Sequence, residues 1–217
     1  SSNSQRTAAR LVWPLVIRPT LVTLNRHNTN VARSLMVALG NAENKNPGIL
    51  LELVEQIMQT DPLTCFISSL NECLLRAQQM ESESSHNPNR HSSDPLLRQT
   101  FLLKRLFARI PDEISNRPVF LQTIKEIAST IKKVLDCMER HSSSHALEQS
   151  KRQLVKDSKQ FSQTLKSFFR NDVEAEDLYI SSIQLIYDVN VIEKISAKSA
   201  SVPAKPSTET NPIVVRV

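Results

Sequence analysis

Glycine, aromatic residues and cysteine are scarce in this chain: 2 glycines, 5% aromatics and 3 cysteines among 217 residues. Scarce glycine argues against hairpin-rich β folds, whose tight turns use it, and against the glycine loops that cradle phosphates. Helical bundles manage without it. Cys65, Cys73 and Cys137 are odd in number and lack metal-type spacing, which fits reduced thiols in a cytosolic protein. His86 and His91 stand in a polar stretch with no second ligand pair in view, so no metal site is expected there. No run approaches the roughly 18 apolar residues of a membrane span. Leu11 to Ile17 is short, interrupted by Pro14, and not followed by a small-residue cleavage pattern. Missing too are G-x-S-x-G, H-E-x-x-H and paired-cysteine motifs, so no catalytic residue and no cofactor is expected. Glu174, Glu176 and Asp177 gather at a predicted helix start, where the helix dipole explains them better than acid–base chemistry does.

What is present is a helical pattern of ordinary hydrophobicity, 40%, with a formal net charge of +5. That charge favours acidic partners. It falls short of a dedicated nucleic-acid binder and comes without interleaved exposed aromatics, so no nucleic acid is expected. The expected fold is all-α. Residues 1–9 read as a disordered lead-in and 10–79 as a block of short helices, with any helix over Leu11 to Leu24 kinked at, or starting at, Pro14 or Pro19. Asn28 or Asn30 caps a helix that Asn46-Pro47-Gly48 ends, and Asp61-Pro62 opens another. Residues 80–94 read as a linker. From 95 to 196, four amphipathic stretches joined by short turns predict an antiparallel four-helix bundle, with Pro111 read as a break or new start. Residues 197–217, rich in Ser, Pro and Lys, read as a disordered tail. Its Val215-Arg216-Val217 ending has the spacing a PDZ-type pocket accepts, but the signal is weak and an inert end fits better.

Two lysine pairs carry the most specific pattern. Lys125 and Lys132 are seven residues apart on one predicted helix, and Lys159 and Lys166 seven apart on the next. Seven residues is nearly two turns, about 10 Å of rise, so each pair shares a face. On the first helix Phe120, Ile127, Ile131, Val134 and Met138 form a core stripe, while Leu121, Ile124, Ala128 and Leu135 form a second stripe between core and lysines. On the next, Leu154, Phe161, Leu165 and Phe168 form the core stripe, with Val155, Ser158, Ser162 and Phe169 between it and the lysines. The offset has the same rotational sense on both helices. It places the flanks either on one shared groove or on opposite outer sides. The small residues Ala128, Ser158 and Ser162 favour a groove that a third helix can enter. Spacing alone fits solvated outer-face lysines better than it fits a site. A basic cluster of Lys151, Arg152, Lys156 and Lys159 adds a second candidate surface, for anionic lipid headgroups such as phosphoinositides.

Ile110-Pro111-Asp112-Glu113-Ile114, Phe120-Leu121-Gln122-Thr123-Ile124-Lys125 and Ile127-Ala128-Ser129 resemble the programmed cell death protein 10 family, also called the cerebral cavernous malformation 3 protein family. Ala146-Leu147-Glu148, Val155-Lys156, Ser158-Lys159, Thr164-Leu165-Lys166 and Asn46-Pro47-Gly48 fit it as well. The match is close over residues 110–170 and loose before 80. The resemblance implies an adaptor without enzymatic activity. It implies an N-terminal helical dimerisation domain, pairing with itself or with the tails of germinal-centre-type protein kinases, and a C-terminal four-helix bundle of focal-adhesion-targeting type. That bundle would bind leucine- and aspartate-rich helical motifs, as in paxillin and the cavernous malformation scaffold, with striatin-containing phosphatase assemblies as further partners. The implied location is cytoplasmic, with Golgi and plasma-membrane peripheral pools. The family's groove lysines fall on Lys125, Lys132, Lys159 and Lys166, and its groove floor on Ile127, Ala128, Ile131, Leu135, Val155 and Ser158. Its dimerisation core falls on Leu35, Ala38, Ile57 and Met58, the last standing where the family has leucine.

Overall fold

The computed structural model describes residues 2–60, 69–84, 94–140 and 144–200. Cys65, Phe66, Asp61-Pro62, His86, His91 and the Val215-Arg216-Val217 ending lie outside these residues. Among the described residues every regular element is helical: α1 Ser2–Val12, a π-helical turn Trp13–Ile17, α2 Arg18–His27, α3 Thr29–Lys45, α4 Ile49–Thr60, α5 Leu70–Ser84, α6 Pro95–Glu113, α7 Arg117–Arg140, α8 His145–Phe169 and α9 Ala175–Ala200.

The N-terminal prolines do not break the chain. Pro14 lies in the π-helical turn, and Pro19 in the first turn of α2, where a missing N–H costs little. Residues 2–9, read from sequence as disordered, are helical, and Ala8, Leu11 and Val12 are buried where α1 packs on α9. That buried stripe supplies the stabilisation which a polar composition hides. Asn28 ends α2 and caps α3, its side chain accepting from Val31 N at 3.1 Å. Gly48 takes φ 100°, a conformation that favours glycine, and lets the chain turn into α4. The Glu43 carboxylate then accepts from Gly48 N at 2.8 Å and Leu50 N at 3.1 Å, so an upstream acid, rather than Pro47, satisfies the start of α4.

Helices α6 to α9 form the bundle. Asp94 caps α6, and Ser144 caps α8 by accepting from Leu147 N at 3.2 Å. Two sequence expectations shift here. Helix α6 runs through Pro111 to Glu113, because a proline in the last turn forfeits only one internal bond. Helix α9 runs to Ala200, four residues into the expected tail of residues 197–217. The core is continuous from Phe107, Phe120 and Leu154 to Leu178, Ile183, Ile186 and Ile192, all within 0% exposure. Phe107 meets Phe161 edge-on, with centroids 5.6 Å apart.

Helix α5 sits differently from its place in the sequence blocks. It runs to Ser84, into the expected linker, and packs against α6 and α9 rather than chiefly on α4. Leu70, Leu74 and Leu75 bury its face. An ionic clasp fastens it: Arg76 pairs with Glu72 at 2.8 Å and with Asp112 of α6 at 2.6 Å, and Asn71 Nδ2 donates to Glu176 of α9.

Candidate functional site

The packing decides which side of α7 and α8 carries the second apolar stripe. One side of α7 meets α6, where the Thr123 hydroxyl donates to Glu113 and the Arg109 guanidinium donates to Glu126 at 3.4 Å. The opposite side meets α8, where Lys151 pairs with Glu139 at 2.9 Å and Phe120 packs on Phe168 and Phe169, centroids 6.2 and 5.7 Å apart. Helix α8 turns its other side to α9, bringing Asp157 beside Asp188. At 100° per residue, Ile124, Ala128 and Leu135 fall on the α8 side of α7, while Val155, Ser158 and Ser162 fall on the α7 side of α8. The two flanks therefore share one seam, which sequence alone left open.

That seam is splayed. The backbone of α6 lies close along α7, and α8 close along α9, whereas α7 and α8 approach each other at few points. The gap is floored by the half-buried Ile124, Leu135, Val155 and Ser158, with exposed Ala128 and Ser162 at its edges. Ile127 and Ile131 are 1% and 8% exposed, so they underlie the floor and belong to the core. The serines do not make the floor polar. Ser158 Oγ donates to Leu154 O at 2.6 Å and Ser162 Oγ to Ser158 O at 2.9 Å, so both hydroxyls are turned back onto their own helix. Lys125, Lys132, Lys159 and Lys166 are all exposed, and none forms an ion pair among the described residues.

The groove's two ends differ, and sequence reasoning missed the ion pair that closes one of them. The Glu139–Lys151 pair braces one end. Residues 139 and 151 are equidistant from position 145, the pairing that an antiparallel hairpin of helices brings together, so the signal was available. At the other end Phe168 and Phe169 are half-buried, and Arg117 lies over the Phe169 ring at 5.4 Å. The brace also occupies Lys151 of the basic cluster, leaving Arg152, Lys156 and Lys159 exposed.

The N-terminal helices carry a second surface. Leu35 and Ile57 are 40% and 55% exposed, Ala38 is exposed, and Met58 is half-buried against the core. Val31, Leu35 and Ala38 recur at helical spacing on α3, as do Leu53 and Ile57 on α4. Of nine large apolar side chains left exposed among the described residues, six lie on α2, α3 and α4, so exposed apolar surface concentrates in this region.

Known proteins agree with this division. The family model for the programmed cell death protein 10 dimerisation domain matches residues 5–64, and that for the C-terminal domain matches residues 68–167. The seam between them falls just ahead of α5, in keeping with its packing on the bundle. A programmed cell death protein 10 homolog from Caenorhabditis elegans is 31% identical over 169 residues, covering 73% of this chain and 76% of the relative. An all-α chain with a dimerisation domain, a C-terminal helical domain and matches to both family models belongs to the programmed cell death protein 10 family, and its dimerisation domain supports an adaptor role.

Proposed function

We propose that this chain is a non-enzymatic adaptor that docks an acidic, leucine-rich amphipathic helix in the groove between α7 and α8, and pairs through its N-terminal helices with a second copy or with a germinal-centre-type kinase tail. The carrying observation is the splayed seam itself: an apolar floor with satisfied serines, between lysines that have no described ion-pair partner. Leucines would occupy the floor, with aspartates beside the lysines. Exposed lysine–carboxylate pairs contribute about 0.2–1 kcal/mol each, so apolar contact supplies most of the affinity while the charges set orientation and specificity. Partners of this chemistry include paxillin-like and cavernous-malformation-scaffold motifs, and the adaptor would link bound kinases to striatin-type phosphatase assemblies. Such a role places it in the cytoplasm, with peripheral pools at the Golgi and plasma membrane.

Reversing Lys132→Glu with Lys159→Glu tests the groove. Fluorescence anisotropy with an acidic leucine-rich helical peptide is expected to show binding lost, while circular dichroism stays unchanged. Undiminished peptide affinity would sink the reading. Vesicle flotation that depends on phosphoinositide, with no peptide binding, would favour the lipid alternative.

A further inference from the structure

A second recess lies on the opposite side of α7. A cavity of about 320 Å³ opens between α6 and α7, its apolar wall formed by Leu102 and Leu106. Leu106 is buried and Leu102 is 42% exposed. The acid in the recess is already engaged: Glu126 accepts from Gln122 Nε2 at 3.1 Å and from Arg109 Nη1 at 3.4 Å. The Thr130 hydroxyl donates to the Glu126 carbonyl at 2.8 Å. What remains for a ligand is the leucine wall, the Ser129 hydroxyl and two exposed ammonium groups, Lys125 and Lys133, neither in an ion pair among the described residues. The large apolar side chains that the bundle leaves exposed, Leu102, Val119 and Leu121, all lie on α6 and α7.

An apolar wall beside two exposed cations, with the local acid hydrogen-bonded to Gln122 and to an Arg109 guanidinium shared with Glu113 at 2.7 Å, selects a ligand that is both apolar and anionic. The volume suits one large side chain and its neighbours, not a whole helix. We propose that this recess is a second docking site, receiving a large apolar side chain flanked by aspartate or glutamate on a partner polypeptide. It stands on different residues from the α7/α8 groove except for Lys125, which rims both. The exposed Ala128 and Ser129 form a low saddle across α7 between the two sites.

The test uses the full chain, labelled with 15N, and a blocked acidic hexapeptide with one central phenylalanine, too short to hold a helix. Its signals are expected to move Leu102, Ser129 and Lys133. Leu102→Asp with Lys133→Glu is expected to weaken binding roughly tenfold or more, as loss of an anchor pocket does. Lys159→Glu with Lys166→Glu is expected to leave it within about twofold, as changes outside the site do. Lys133→Gln, which removes the charge but keeps a polar side chain, is expected to give a smaller loss and guards against misfolding of the double variant. The proposal is overturned if the peptide does not bind at millimolar concentration, or moves only Val155, Ser158 and Ser162. It is equally overturned if only phosphatidylserine vesicles, and not the peptide, respond to Lys133→Gln. Because α8 contributes nothing to this recess, failure of the groove reading leaves the outcome here unaffected.

Discussion

Asp188 of α9 is 5% exposed, and its Oδ2 has no donor among the described residues, while Oδ1 accepts from Gln184 at 3.4 Å. Burial, then the adjoining Asp157 carboxyl, push its pKa from 3.8 up to about 8, with Gln184 opposing. A proton on Asp188 turns the contact with Asp157 into a hydrogen bond, so the folded chain holds a proton which the unfolded chain releases. Folded chains therefore bind more protons across the window from about pH 4 to pH 8, and Asp188 weakens the fold progressively as pH rises through it. Asp188→Asn is expected to raise stability at neutral pH by about 1–3 kcal/mol, an advantage that fades towards pH 4, as read from urea midpoints along a pH series. Nothing in the sequence flags this residue, because its environment is set by a helix 31 positions away. Helix caps were partly legible, since their partners are local: of the candidates Asn28 and Asn30 it is Asn28 that caps α3, and Asp94, just ahead of Pro95 and an apolar run, caps α6. Ser144 caps α8, and Ser144→Ala is expected to cost about 1 kcal/mol in chemical denaturation.

At the scale of elements, the groove exists because α7 and α8 each carry more apolar surface than one neighbour can cover. The core stripe from Phe120 to Met138 is spent on the bundle interior. The flank of Ile124, Ala128 and Leu135 faces a helix that stands off, and small residues on both walls keep the space open. Ser162→Trp tests that space directly. The residue is exposed, so the bundle is expected to keep its melting temperature, while the filled groove loses affinity for an acidic leucine-rich helix by roughly tenfold or more. Unaltered affinity in isothermal titration would place the docking surface elsewhere. Both stripes and the common offset of the lysines were legible from the helical period. Which side they shared was not, because that depends on the order of helices around the bundle. The extension of α6 through Pro111 was hidden for a related reason: a proline near a helix end and one that breaks a helix look alike until the packing of Ile110 and Ile114 is known.

On the whole-molecule scale the chain is two helical regions with different unmet needs. The bundle shares one continuous core with α5 and α1, which pack on it, and leaves a groove; the N-terminal helices bury Leu21, Leu50 and Val54 yet leave Leu35, Leu53 and Ile57 partly in solvent. Each is already about half buried, so covering what remains stabilises by about 1 kcal/mol per side chain, which a second copy or a pseudo-symmetric partner can supply. Leu35→Asp with Ile57→Asp is therefore expected to convert dimers to monomers in sedimentation velocity while preserving helix content; persistent dimers would move the interface off α3 and α4. The boundary between the regions was harder to read, since α5 has the short amphipathic pattern of the first block and its allegiance rests on Arg76, Asp112 and Glu176, contacts made far along the chain. The proposed function stands or falls on whether the α7/α8 groove docks an acidic helix. An NMR titration of the labelled full chain with an acidic leucine-rich helical peptide tests it most directly. Shifts are predicted to concentrate at Ala128, Leu135, Val155, Ser158 and Ser162; shifts confined to other faces, or none at saturating peptide, would contradict it.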